Sequence, residues 1–103
     1  FSIMFDEFSC QELQEIISTG GQLIDVRSTV EFSQGALEGA KNIPIDTIHY
    51  ALKSIDKSKP VILYCRTGKR SGMVKGLFDQ LGFDQVHNIG CYQHYIGCYR
   101  EAS

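Results

Sequence analysis

Cys65 is the residue with the most chemistry around it. The run Val61-Ile62-Leu63-Tyr64-Cys65 is apolar without polar alternation, and Arg66-Thr67-Gly68-Lys69-Arg70-Ser71 follows it directly. A buried strand thus delivers one thiol into a short loop that carries three cations and a glycine. An ordinary thiol, with a pKa of about 8.5, is mostly protonated at neutral pH. Nearby cations, oriented backbone N–H groups and a helix N-terminus all favour the anion. The spacing therefore predicts that Cys65 is a thiolate nucleophile. It also predicts that the loop amides suit an anionic substrate or a charged covalent intermediate, with Gly68 permitting the curl. The competing reading is an inert buried cysteine beside a chance basic turn.

Other reactive side chains carry weaker signals. Asp25 interrupts the apolar run Leu23-Ile24-Asp25-Val26 and is expected to accept hydrogen bonds from backbone or Arg groups rather than to move protons. Arg27 and Glu31, four apart, are expected to pair. Cys91, His94 and Cys98 have a spacing compatible with a metal site, but with no evident fourth ligand the expectation is no metal. His49 and His87 are singletons, read as surface or satisfied core residues. Of the four cysteines, Cys10, Cys65, Cys91 and Cys98, two disulfides are conceivable. An apolar content of 43% lets a chain of this length fold without them, so free thiols are expected.

The elements that position Cys65 are legible from periodicity. Ser9 with Glu12 forms a capping box, flanked by Phe8 and Leu13 as a staple, and Leu13, Ile16 and Ile17 form one stripe ending at Gly20-Gly21. A strand over 23–26 follows, then one or two helical turns over 29–34 closed by Gly35, and a strand end at Asn42-Ile43-Pro44. Ile45, Ile48, Leu52 and Ile55 predict a second amphipathic helix. Val61–Tyr64 reads as a central parallel strand buried on both faces. From about Ser71, Met73, Val74, Leu77, Phe78 and Leu81 predict a long helix ending at Gly82, and 86–89 supplies a further strand. The tail from Cys91 has no clear period and reads as a loop with one short helix. This alternation predicts a three-layer α/β fold with a central, mostly parallel sheet flanked by helices. In such sheets ligands sit beyond the carboxyl ends of the strands, where Cys65 lies.

At 103 residues, the chain is expected to form a single domain over 1–103. A formal net charge of −2, with no basic stripe outside the 66–70 loop, argues against nucleic-acid binding. No apolar run is long enough to span a membrane, and the first twenty residues are acidic where a secretory signal is basic. The sequence starts at Phe1, which leaves a removed signal peptide open. The compartment is therefore unknown, with cytoplasm slightly favoured over periplasm.

Three stretches, taken in order, resemble the rhodanese-like family and its single-domain thiosulfate sulfurtransferases. They are Leu23-Ile24-Asp25-Val26-Arg27 with Glu31-Phe32, Gly39-Ala40 with Asn42-Ile43-Pro44, and Tyr64-Cys65-Arg66-Thr67-Gly68-Lys69-Arg70-Ser71. The resemblance implies that Cys65 takes a sulfane sulfur from thiosulfate or polysulfide, holds it as a persulfide, and passes it to cyanide or a thiol, a protein acceptor included. It implies that Arg66, Lys69 and Arg70, with Thr67 and Gly68 in the same cradle, receive the anionic donor. Ser71 would cap or line the loop. No cofactor is required, and a thiolate attacking sulfane sulfur needs no base. The chain departs from the family pattern at Ala36, where histidine is usual, and at Gly90-Cys91, where a Gly-Gly pair is usual. Cys91 is read first as a surface or packing thiol; a sharper, less favoured reading places it near Cys65, since both follow strands of the same sheet, able to resolve its persulfide or form a reversible disulfide. The alternatives are a persulfide carrier, a regulatory interaction module and a Cys-dependent phosphatase. The phosphatase is disfavoured because only four residues separate Cys65 from Arg70, whereas the related phosphatase loop is one residue longer.

Overall fold

The computed structural model describes residues 7–98; Phe1 and the two ends of the 1–103 domain expectation lie outside them. Helix α1 (Cys10–Ser18) starts as its sequence dictates: the Ser9 side chain accepts from the Glu12 amide while the Glu12 carboxylate accepts from the Ser9 amide. Phe8 and Leu13 then share one apolar cluster. Strand β1 (Gln22–Asp25) leads to the short helix α2 (Thr29–Ser33), which carries a second capping box, Ser28 with Glu31. Strand β2 (Lys41–Asn42), helix α3 (Ile48–Ala51), strand β3 (Val61–Cys65), helix α4 (Lys69–Gln80) and strand β4 (Val86–Cys91) complete the order.

The four strands pair in parallel throughout, in the order β2-β1-β3-β4, so β3 is an interior strand with all five residues buried. Its side chains alternate between two clusters. Val61, Leu63 and Cys65 pack with Ile48, Val74 and Phe78 on the face covered by α3 and α4. Ile62 and Tyr64 pack with Leu13, Leu37, Tyr95 and Cys98 on the other. These are the three layers expected. Each fully buried Leu, Ile or Phe contributes about 1.5–3 kcal/mol, which is what holds β3, and with it Cys65, in place.

Three expectations are corrected. The segment 45–55 is broken into a 3₁₀ turn (Ile45–Thr47), the single turn α3, and another 3₁₀ turn (Leu52–Ser54). Ile45, Thr47 and Ile48 are β-branched, and Thr47 donates its hydroxyl to the Pro44 carbonyl instead of capping α3. Ile48 and Ile55 are nonetheless buried, so the apolar period marks a face without making one helix. Helix α4 begins at Lys69, two residues before Ser71, because Gly68 at φ +90° turns the chain straight into it. Finally, Cys10 and Cys98 form a disulfide, with Cα atoms 5.1 Å apart. One opens α1 and the other lies in the aperiodic tail, and the fold brings both to the face opposite α4. Cys65 and Cys91 are the free thiols of the described chain. Among the described residues, no helix is long and apolar enough to cross a membrane.

Candidate active site

Cys65 closes β3, and its residue is fully buried. The loop curls back over it, so that the Gly68 amide donates to Sγ at 3.0 Å and the Ser71 hydroxyl stands 3.4 Å from Sγ. The turn needs Gly68: its φ of +90° lies in the left-handed region, which a side chain disfavours. Burial alone pushes the Cys65 thiol up and is the largest single influence on it. The Ser71 hydroxyl and the amides of Ser71, Thr67 and Gly68 together outweigh burial, leaving the thiol below its ordinary value. The sulfur is buried, yet it is met by donors rather than by hydrocarbon alone.

The loop's charged residues divide. Arg66 and Lys69 are exposed. Arg70 is committed to Glu31, with Nη1 to Oε1 at 2.7 Å and Nη2 to Oε2 at 3.0 Å. This pair holds the Glu31 carboxyl down at about 2, with the Arg70 hydrogen bonds as the leading cause. The expected Arg27–Glu31 pair therefore does not form. The Glu31 carboxylate is engaged at the start of α2, where it accepts from the Ser28 amide, and Arg70 reaches it from the first turn of α4. Thr67 is exposed, and its hydroxyl accepts weakly from the Lys69 amide at 3.4 Å.

Arg27 goes to Asp25. The carboxylate accepts from the Arg27 amide at 2.8 Å and from Nε and Nη2 at 3.0 and 2.7 Å, the structural role expected for Asp25. Burial pushes the Arg27 guanidinium down, and the Asp25 carboxylate more than restores it. The same guanidinium donates to the Gly35 carbonyl at 2.6 Å and lies 4.3 Å from the Tyr92 ring centroid. A side chain at Gly35 would meet the Tyr92 hydroxyl at 2.8 Å, so this corner closes tightly. Arg27, Glu31, Gln34, Gly35, Arg66, Tyr92 and Gln93 line a cleft of about 310 Å³ beside the loop.

Sequence reasoning missed Asn88. Fully buried in β4, it donates to the Gly68 carbonyl at 3.1 Å and accepts from Ser71 Oγ at 2.7 Å and the Gly90 amide at 3.0 Å. It therefore pins both the turn and the hydroxyl that face Cys65. The available signal was an amide inside the expected strand 86–89, flanked by His87 and Ile89, which burial requires to be hydrogen-bonded. His49 is exposed on α3, and His87 packs its ring 5.1 Å from that of Phe8. The Cys98 sulfur is bonded to Cys10 and so is not available as a ligand alongside Cys91 and His94. Cys91 lies directly across from Cys65 on the neighbouring strand.

A family model, described as the Rhodanese-like domain, matches residues 9–93. Thiosulfate sulfurtransferase PspE of Escherichia coli is 33% identical over 69 residues, covering 65% of this chain and 66% of its own length. The human thiosulfate:glutathione sulfurtransferase is 32% identical over 108 residues, covering 90% of this chain and 89% of its own. A crystal structure of a rhodanese-like domain protein from Staphylococcus aureus superposes with a TM-score of 0.74 at 29% identity, covering 88% of this chain and 91% of that one. Against four of its curated relatives the chain spans only 54% to 66% of their length. By sheet order, loop and family match together, the chain belongs to the rhodanese-like domain family.

Proposed function

We propose that the protein is a sulfurtransferase in which Cys65 carries the sulfur. The Cys65 thiolate attacks the outer sulfur of thiosulfate, or of a similar small sulfur anion. The S–S bond of the donor breaks, sulfite leaves with the bonding pair, and a Cys65 persulfide remains. A thiol or cyanide acceptor then removes the outer sulfur and returns the thiolate. The observation that carries this reading is the donor set on one buried sulfur: the Gly68 amide at 3.0 Å, with the Ser71 hydroxyl beyond it at 3.4 Å. Those donors are in place before the charge arrives, so they favour a bound anion at little reorganisation cost.

Arg66 and Lys69 are exposed at the loop and draw in the doubly charged donor. Arg70, held by Glu31, fixes the first turn of α4 and with it the amides behind Sγ. The same tie favours sulfur over phosphoryl chemistry, since a phosphatase needs that guanidinium free for the phosphoryl oxygens. Arg66 at the edge of the 310 Å³ cleft suits a small thiol with carboxylates, in keeping with the glutathione in the human relative's name. The proposed cycle uses no cofactor.

The test is sulfite release from thiosulfate, followed by thiocyanate formation when cyanide is added. Cys65→Ser should reduce both to background; a variant that retained turnover would overturn the proposal.

A further inference from the structure

Strands β3 and β4 do not stay in step. Val61 opposes Val86, Ile62 opposes His87 and Leu63 opposes Asn88, after which one residue of β4 is skipped: Tyr64 opposes Gly90 and Cys65 opposes Cys91. Ile89 is the extra residue, and Gly90 takes a φ of +78° beside it. Had the strands continued in step, Gly90 would stand opposite Cys65. The bulge is therefore what sets the second free thiol of the described chain beside the first, and bulges commonly re-aim a side chain in this way. Register partners on neighbouring strands lie about 4.8 Å apart. That is within the roughly 4.4–6.8 Å between Cα atoms that a disulfide spans.

We propose that Cys91 is a resolving thiol for Cys65, giving the protein a further activity: release of hydrosulfide through an internal disulfide. This rests on the persulfide reading above. The Cys91 sulfur attacks Sγ of the Cys65 persulfide, and its electron pair forms the Cys65–Cys91 bond. The bond from Sγ to the outer sulfur breaks, and that sulfur leaves as hydrosulfide with the bonding pair and the proton Cys91 gives up. In this step the Cys91 sulfur is oxidised by one electron, the outer sulfur is reduced by one, and the Cys65 sulfur exchanges one sulfur–sulfur bond for another, so no outside oxidant enters. Two equivalents of a small thiol then reduce the disulfide by exchange and leave as their own disulfide. Cys65 is fully buried while Cys91 is half-buried. A partner already on the next strand reaches the covered sulfur without the entry and ordering that an external acceptor requires.

The experiment is one turnover without added thiol: the protein with an equivalent of thiosulfate, oxygen excluded, assayed for sulfite and hydrosulfide and mapped by peptide mass spectrometry. Equimolar sulfite and hydrosulfide are expected, with a Cys65–Cys91 peptide in addition to Cys10–Cys98. Cys91→Ser should retain the added sulfur on Cys65 and release hydrosulfide at least tenfold more slowly. Sulfite with the outer sulfur still on Cys65, or moved to Cys91, and no hydrosulfide would overturn this inference alone. No sulfite would overturn the parent reading and this one with it. The wild-type map decides the matter even if C91S fails to fold.

Discussion

Ser71 on α4 and Asn88 on β4 are joined by a 2.7 Å hydrogen bond, and the same hydroxyl stands 3.4 Å from the Cys65 sulfur. A hydroxyl has one proton for these two acceptors. While Cys65 is a thiol, Ser71 donates to Asn88 and can accept from the S–H. When Cys65 ionises, the hydroxyl turns to the sulfur, and Asn88 Oδ1 keeps the Gly90 amide at 3.0 Å. The amide of Asn88 thus lets Ser71 change partners without leaving a buried group unsatisfied.

Ser71→Ala removes the side-chain donor that most favours the Cys65 thiolate, so the thiol should titrate at higher pH than in the wild type. The rate of iodoacetamide alkylation, followed against pH, should show its inflection lowered from that of an ordinary thiol in the wild type and shifted upward in the variant. Sulfite release at pH 7 should fall about tenfold. An unmoved inflection would remove Ser71 from the charge balance at Cys65.

Asn88→Ala takes one of two donors from the Gly68 carbonyl, which keeps the Gly72 amide, and leaves the buried Gly90 amide and Ser71 hydroxyl without their Asn88 partner. Each such loss costs about 1–3 kcal/mol. Urea unfolding should show a destabilisation of about 2–4 kcal/mol, and the alkylation inflection should move as well, because the Gly68 turn that points its amide at Sγ loses its tether.

Glu31 links α2 to α4 through Arg70, with both side chains about two-thirds buried, at 27% and 33% exposure. Its folded carboxyl lies at about 2, below the unfolded value of 4.5. A depressed carboxyl contributes stability that is fully present above the unfolded value and is lost as pH falls toward the folded one. Wild-type stability should therefore decline between about pH 4.5 and 2 with a component that Glu31→Gln lacks. At pH 7 that variant should be about 1 kcal/mol less stable after allowing for solvent screening. Denaturant midpoints across this range check both statements.

Asp25→Asn should be the costlier change. It leaves the buried Arg27 guanidinium, which is only 5% exposed, facing a neutral amide. Breaking a buried pair from one side costs about 3–5 kcal/mol. A loss below 1 kcal/mol in urea would show that the Gly35 carbonyl and the Tyr92 ring suffice to hold Arg27.

The parts of this fold written in local pattern were legible. The Ser9–Glu12 capping box, the unbroken apolar run of β3 and the curl at Gly68 after Cys65 each depend on residues adjacent in sequence, and each stands where periodicity and spacing place it. The parts that depend on distant residues were not. Arg27 had both Asp25 and Glu31 within reach along the chain; the choice was made by Arg70, which arrives from α4. The Cys10–Cys98 bond joins residues 88 apart, and a composition able to build a core gives no sign of it. Asn88 is one polar residue beside another, His87, in β4 until Ser71 and Gly68 are folded over it.

The Cys10–Cys98 bond makes the intervening polypeptide a closed covalent ring. A single proteolytic nick anywhere within it leaves the fragments attached, and tension applied at the two ends passes through the sulfur bridge before it reaches the sheet. In the proposed cycle, any thiol that restores Cys65 works on a molecule whose ring depends on another sulfur–sulfur bond, so a strong reductant would open the scaffold along with it.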